Sequence, residues 1–369
     1  MTVYVVDLES LSSRYTVEWK DHVPQQLRKH VTDDVVVIEG GPVPPSTTPG
    51  AFLNFGGTNM YKSRQMVQIS DMITNGEIKD GDYFLYTDAW NPTIIQLRYM
   101  LDLLGIGAKI GGLQHAGAYD DFDFLGRLCG DRAWTHHSEM ALYHSLDHIY
   151  FASDFHIRLF IENRLNEVVF GDVSDHADVR SGKIARTGWP MEYMRDTLSE
   201  SENIPKENVI AFPHRLAPEK QVEIVRDLQQ QLPEYEFVIC QEQQLTKPEY
   251  HSILYRAKMV FSASLQETLG ISTGIEGPVV GAIPLVPDRL SYVEMFQEDF
   301  KYPSTWTEDW QCYVAHREQL VKKIRDVMEN YDQYLDQLKG NTSLLETEYF
   351  SAENLYTTIK RSINDVERN

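Results

Sequence analysis

What most constrains this chain is a recurring alternation of short β-branched and aromatic runs with longer stretches of helical period. TVYVVDL (2–8), VVVIE (35–39), DYFLYT (82–87), AKIGGLQ (108–114) and HIYFAS (148–153) read as strands. Helices are expected around 61–74, 91–104, 130–145 and 154–164. This alternation argues for a parallel sheet with helices on both faces. Near residue 185 the rhythm restarts: KIARTGWP (183–190) closes one unit on Gly188 and Pro190. NVIAFP (208–213), YEFVIC (235–240), KMVFSAS (258–264) and GAIPLVP (281–287) supply a second strand series, with helices expected at 217–231 and 247–257. The predicted class is α/β, with two Rossmann-like doubly wound domains, residues 1–187 and 188–342, facing a cleft. Ligands of such sheets sit outside the carboxyl ends of the strands. Two amphipathic helices, 314–338 and 343–366, are expected to close the chain, with residues 343–369 packing back toward the first domain. PVPPSTTPG (42–50) reads as a proline-rich loop.

Composition narrows the function classes. Of 369 residues, 42% are hydrophobic and 24% charged, an ordinary globular balance. No apolar run approaches the roughly 18–20 residues that span a bilayer, and MTVYVVDLES opens as a strand without a basic leader, so neither a membrane partner nor a signal peptide is expected. Cys129, Cys240 and Cys312 match no metal spacing, and a reducing cytoplasm is the expected location. A net charge of −21 repels phosphate polymers at long range, which weighs against non-specific nucleic-acid binding while allowing a local basic groove.

Two stretches carry chemistry. In ASLQETLGISTGIEGPVVGAIPLVPDRLSYVEMF (263–296), a strand runs into a turn at Gly270, then a helix start, then another strand. Glycine lets backbone N–H groups approach a phosphate, a helix N-terminus adds partial positive charge, and Glu267 and Glu276 offer acceptors for sugar hydroxyls. That combination suits a sugar diphosphate. In FPHRLAPEKQ (212–221), a strand end carries Arg215, a turn set by Pro218, and Lys220. Arg215 can fork onto phosphate oxygens and Lys220 adds a point charge; the plainer alternative is an exposed turn before a helix.

Together these stretches resemble the GT-B glycosyltransferases, specifically the retaining families with a glycogen-synthase-like donor domain. The family's first motif is G-R-L-x-P-E-K; here it is H-R-L-A-P-E-K, with His214 where glycine is common. The second is E-x7-E with glycine three residues after the first Glu, matched by Glu267 and Gly270, and the segment from Glu276 through Gly281 to PLVPD (284–288) keeps the downstream spacing. The gap between the glutamates is one residue longer than usual, in ISTG (271–274), so the loop before the helix is expected to absorb it. The resemblance implies that Arg215 and Lys220 hold the diphosphate as leaving group. It implies that Glu267 contacts the donor sugar, that backbone N–H groups near Gly270 and Ile271 meet phosphates or sugar, and that Glu276 binds the ribose. It implies a nucleotide-sugar donor, expected to be UDP-linked, with no cofactor and no metal.

The first half is expected to supply the acceptor side. His115 follows the strand at 108–114, where related enzymes often carry a histidine that touches the transferred sugar; a turn cap is the alternative. Asp88 and Trp90 end the third strand and are acceptor-side candidates, although Asp88 equally suits a helix N-cap. Asp120, Asp121 and Asp123 read as a solvated loop or acceptor contacts rather than a metal motif. The glycine-rich loop usual after the first strand is replaced by DLESLSSRYT (7–16), where Ser12, Ser13 and Arg14 are the substitutes. His136 and His137 lie in a helical pattern and are read as structural, and the tail tyrosines Tyr331, Tyr334, Tyr349 and Tyr356 as packing rather than a stacking platform for bases. LQHAGAYDDFDFLGR (113–127) and FASDFHIRLF (151–160) resemble acceptor domains of tailed-bacteriophage glycosyltransferases that modify hydroxymethylated pyrimidines in DNA. Such DNA is therefore the expected acceptor, with Lys62, Arg64 and Arg98 as a local basic patch. A small molecule, a protein or a tRNA are the alternatives, as is a nucleotide-sugar epimerase on the same plan.

Overall fold

A computed structural model describes residues 1–10, 15–44, 54–200 and 204–366. The chain forms two compact units, one of Met1–Pro190 with Ala352–Asn369, the other of Met191–Ser351.

The first unit holds six strands: β1 (Val3–Val6), β2 (Val35–Ile38), β3 (Tyr83–Tyr86), β4 (Lys109–Leu113), β5 (His148–Phe151) and β6 (Ile184–Arg186). They pair in parallel in the order β2-β1-β3-β4-β5-β6. β1 and β3 are buried along their whole length, as strands covered on both faces must be. Helices α1 (Thr16–His30), α2 (Phe55–Thr74), α3 (Thr93–Leu104), α4 (Phe124–Cys129), α5 (Ala133–Ser145), α6 (Asp154–Phe160) and α7 (Ala177–Arg180) connect them. The chain steps from β1 outward to β2 and then returns to β3 on the other side of β1. The strand order therefore reverses between β1 and β3, where doubly wound sheets open a crevice for ligands.

The second unit, after α8 (Met194–Thr197), repeats this logic with β7 (Glu207–Phe212), β8 (Glu236–Ile239), β9 (Ala257–Phe261), β10 (Ile283–Pro287) and β11 (Lys301–Tyr302). The order is β11-β10-β9-β7-β8, all parallel, and it reverses between β7 and β9. Helices α9 (Val222–Gln231), α10 (Lys247–Arg256), α11 (Gly277–Val279), α12 (Tyr292–Met295), α13 (Trp310–Glu329) and α14 (Tyr331–Glu348) cover it. The final helix α15 (Glu353–Val366) belongs to the first unit.

Several elements depart from the sequence expectation. Helix α1 has no counterpart in it: Pro24 lies inside the helix and is buried there, a residue that ordinarily breaks a helical pattern. The helix expected over 217–231 begins at Val222, because Pro218–Lys220 form a 3₁₀ turn and Gln221 takes a left-handed conformation (φ 53°). The tail breaks at Asn330 and around 349–352 rather than near 340, so Gly340 lies within α14. Three of the four tail tyrosines pack: Tyr331 donates to the Gly281 carbonyl at 2.8 Å, Tyr349 to that of Glu294 at 3.1 Å, and Tyr356 stacks on His30, whereas Tyr334 is half-buried and donates to Asp326 at 2.6 Å on the surface.

Candidate functional site

In the second unit the two motif stretches meet because β7 pairs with β9. The turn after β7 and the loop after β9 are laced together by their backbones and side chains. Leu265 N–H donates to the Glu219 carbonyl at 2.8 Å. Gln221 spends its amide on the Ala263 and Thr307 carbonyls, each at 2.7 Å, which holds its left-handed backbone in place. Arg289 fastens the loop from the far side, donating to the carbonyls of Ser264 (2.8 Å), Ala263 (2.9 Å) and Ser304 (3.1 Å).

The cations sit on this frame. Lys220 is buried; its ammonium donates to the Gln266 carbonyl and lies 3.2 Å from Glu267 Oε2. A buried ammonium is tolerated only with such partners. Arg215 Nη2 lies 2.8 Å from Glu219 Oε1, which is fully buried, while the arginine side chain remains 26% exposed and reachable. His214 packs edge-on against Phe212. Burial, helped by the charges of Lys220 and Arg215, holds its imidazole well below the ordinary histidine range, so it stays neutral between the two cations.

Gly270 adopts φ +73°, and a Cβ there would lie 2.9 Å from Thr273 Oγ1 and 3.0 Å from the Tyr292 ring, so glycine is required. The helix starts immediately after it, at Ile271. The extra residue between Glu267 and Glu276 is not absorbed in a preceding loop, as the sequence suggested. It is taken up inside the helix as a π-helical turn, Ser272–Glu276, closed by Gly277 N–H donating to the Ser272 carbonyl five residues back. The helix begins four residues after Glu267, the partner of Lys220, and the first N–H groups of a helix are suited to an anion.

Glu276 is buried, and Tyr250 of α10 donates to its Oε2 at 2.6 Å while lying 3.1 Å from Ser272 Oγ. Burial and the Glu276 charge push the Tyr250 phenol far above its ordinary value, so it remains a donor. Cys240, at the end of β8, is buried; burial, with the Glu276 charge adding to it, pushes its thiol up to about 12 and makes it unreactive. Sequence reasoning missed Tyr250, Gln221 and Arg289, whose partners lie far along the chain.

In the first unit His115 follows β4. Its Nε2 lies 2.6 Å from the Thr87 carbonyl, which can only accept, so Nε2 carries a proton; Nδ1 lies 3.0 Å from the Tyr15 hydroxyl. Trp19 and Trp189 pack against the ring at 5.5 and 4.9 Å between centroids. Asp88, two residues past β3, accepts from Lys62 at 2.9 Å and from Trp90 N–H at 3.0 Å. Burial alone would raise its carboxyl, but Lys62, His115 and these hydrogen bonds outweigh it and hold the group below the ordinary carboxylate range. The Trp90 indole donates to Glu139 Oε1 at 2.9 Å, and Ala118 N–H to the same oxygen at 2.6 Å. Glu139 in turn pairs with buried Arg164 at 2.6 Å, so this ion pair fixes the loop that carries His115. Ser12, Ser13 and Arg14 lie outside the described residues.

Two expectations about this unit are corrected. Asp120 and Asp123 are buried rather than solvated, and they cap turns: Asp120 accepts from Phe122 N–H and Asp123 from Leu125 N–H at the start of α4, each at 3.0 Å. Lys62, Arg64 and Arg98 do not make an exposed basic patch. Lys62 is buried on Asp88, Arg64 donates to the Gly40 and Pro42 carbonyls, and Arg98 pairs with Asp147 at 2.5 Å. Among the described residues no helix is long and apolar enough to cross a membrane.

No protein-family profile matches the chain, and no curated protein matches its sequence. Solved structures do match in fold. The chain is similar to the catalytic domain of starch synthase IV from Arabidopsis thaliana bound to ADP and acarbose, with TM-score 0.57 and 11% identity over 98% of this chain and 99% of that one. Sucrose-phosphate synthase from Thermosynechococcus elongatus matches at TM-score 0.58 and 11% identity, over 100% of this chain and 98% of that one. Anabaena HepE in complex with UDP and glucose matches at TM-score 0.54 and 12% identity, over the whole of both chains. At such identities the likeness establishes the fold, that of the GT-B glycosyltransferases: α/β, with two parallel-sheet Rossmann-like domains.

Proposed function

We propose that this chain is a retaining glycosyltransferase that moves a sugar from a nucleotide-diphosphate sugar, UDP-linked in the first instance, to an acceptor hydroxyl. The observation that carries this reading is the meeting of Lys220, Glu267 and the helix start after Gly270 at the strand-order reversal of the second sheet, with Arg215 beside them. Breaking the anomeric C–O bond builds negative charge on the diphosphate and positive charge on the sugar. Arg215, Lys220 and the helix N-terminus offset the first, and Glu267 faces the second. Glu276, steadied by Tyr250, takes the ribose hydroxyls. The acceptor oxygen forms the new bond to the anomeric carbon on the face that the phosphate leaves. The departing phosphate oxygen takes the acceptor's proton, so no protein nucleophile is used. His115, with Asp88 and Trp90 behind it, serves the acceptor side. Starch synthase IV with ADP and HepE with UDP and glucose support a nucleotide-sugar donor on this fold. The three free cysteines suit a cytoplasmic enzyme.

The test is a screen of UDP-, GDP- and ADP-sugars for nucleotide release and transfer, with a sugar and polyol panel and hydroxymethylcytosine-containing DNA as acceptors. Release from at least one donor is expected, and Arg215→Ala or Lys220→Ala lowers it by about 10²–10³-fold, the scale of losing one charge-stabilising group. No release from any donor, or release indifferent to both substitutions, overturns the reading. Modified nucleosides in the DNA arm would identify the acceptor expected from the sequence. The engagement of Lys62, Arg64 and Arg98 with their own partners removes the basic patch offered in support of that acceptor.

A further inference from the structure

The first unit has its own strand-order reversal, between β1 and β3, and the polar groups gathered there are not accounted for by packing. Three side chains of α2 that share one face, Thr58, Tyr61 and Gln65, reach the end of β1. Tyr61 donates to Asp7 Oδ1 at 2.6 Å, Gln65 to the same oxygen at 2.9 Å, and Thr58 to Glu9 Oε1. Each carboxylate thus has one oxygen held rigidly. The other oxygens, Asp7 Oδ2 and Glu9 Oε2, are buried without a hydrogen-bond partner among the described residues. The residues themselves are 8% and 1% exposed.

They are not the only such groups at this edge. Val6 pairs with Tyr86, so one residue further the register sets Asp7 beside Thr87, whose Oγ1 is also buried and unpartnered among the described residues. Helix α1 begins at the same end of β1, and Thr16 Oγ1 and Trp19 Nε1 are buried there without partners among the described residues. Trp19 packs on His115, whose Nε2 holds the Thr87 carbonyl, which ties these groups to one place. A buried polar atom without a partner costs about 1–3 kcal/mol, so several at one crevice call for a ligand or ordered water.

The chemistry of the set identifies the ligand class. Glu9 Oε2 accepts, Asp7 Oδ2 accepts or, when protonated, donates, the Trp19 indole N–H donates, and the two threonine hydroxyls do either. Carboxylates repel phosphate and nucleic-acid backbones, and the cations described at this edge have partners of their own: Lys62 is committed to Asp88 and the Trp90 carbonyl at 2.9 and 2.7 Å, and Lys20 to Glu39 at 3.0 Å. We infer that Asp7, Glu9, Thr16, Trp19 and Thr87 form a binding site for an uncharged sugar or polyol, the hydroxyl acceptor of the transfer. Calling that sugar the acceptor rests on the proposed function; the binding site itself does not.

Saturation-transfer NMR on the full chain tests it without turnover. The probes are the methyl glycosides of glucose, galactose and mannose, and myo-inositol, with glucose 6-phosphate as the charged comparator. At least one neutral probe is expected to bind, and Glu9→Gln and Thr87→Val, each near-isosteric, each weaken it about tenfold or more. Far-UV circular dichroism and thermal melting show whether each variant remains folded, and either one alone suffices for the comparison. Silence from all neutral probes, preference for glucose 6-phosphate, or binding unchanged in both folded variants overturns the site; ordered water alone filling the crevice would give that silence. If the neutral sugar binds but no nucleotide is released from any donor, the site stands and the transferase reading falls. The converse result removes the site and leaves the transferase.

Discussion

Asp7 shows how much a single position can couple this fold to pH. Burial, with the nearby Glu39 charge, pushes its carboxyl up to about 7, against the hydrogen bonds from Tyr61 and Gln65 and the charge of Lys20. An unfolded aspartate titrates near 3.9. Between those values the folded chain keeps a proton that the unfolded chain releases, so this residue's contribution to stability falls as pH rises from about 4 to 7 and is lowest above 7. Asp7→Asn removes the titration. Other groups also titrate in this range: burial holds His148 down to about 4 and His156 to about 3, so both disfavour the folded state as pH falls below 6.5. The informative quantity is therefore the difference between variant and parent. Relative to the parent, Asp7→Asn should gain about 2–3 kcal/mol on going from pH 5 to pH 8, read from urea midpoints at each pH. A flat difference would show that the folded carboxyl is not raised.

At the scale of elements, the π turn Ser272–Glu276 separates two explanations of how Glu276 finds its place. Either the extra residue is stored in the turn and leaves the flanking geometry alone, or the wide turn is itself what aims the carboxylate. Tyr250, which fixes Glu276 Oε2 from a different helix, favours storage. Deleting Ser272 should then convert the turn to an ordinary α-turn and leave UDP affinity within about threefold of the parent, while Tyr250→Phe weakens it roughly tenfold or more, the scale of a hydrogen bond to a charged group. Isothermal titration with UDP measures both, and a deletion that abolishes binding while the chain stays folded would favour the second explanation. The same stretch shows what the sequence made legible. The strands β7 to β10 and the motif residues Arg215, Lys220, Glu267 and Gly270 were readable, because β-branched runs mark strands and local spacing marks a turn. The π turn was visible only as one residue too many. Tyr250, Gln221 and Arg289 were not readable at all, since each acts on a partner brought near by strand pairing rather than by spacing. Asp7 and Glu9 had a weak signal, two carboxylates directly after an apolar strand, which became specific only once the reversal between β1 and β3 was known.

For the whole molecule, the path of the chain makes its last helix a structural part of the first unit. α15 follows the second unit in sequence but packs on α1, where Tyr356 stacks on His30 at 5.5 Å, and the Ser362 carbonyl and hydroxyl receive Lys109 Nζ at 3.2 and 3.1 Å. Leu355 and Ile359 are fully buried, Tyr356 nearly so and Ile363 mostly. At about 1.5–3 kcal/mol for each large apolar side chain, these four contribute roughly 6–12 kcal/mol, comparable to the entire stability of a typical domain. A chain ending at Ser351 should therefore leave the first unit unable to hold its native state, because the apolar face of α1 that received α15 is opened to water. The second unit, whose residues end where the truncation falls, keeps its own core. Hydrogen exchange followed by mass spectrometry resolves the two: protection is expected to collapse across β1–β6 and to persist across β7–β10. Equal loss in both units would mean that they fold as one cooperative block, and retained protection in β1–β6 would mean that α15 is an ornament on a sheet already stable without it. The expected pattern also ties the site proposed at the ends of β1 and β3 to α15, since that site depends on a unit whose core α15 helps to form.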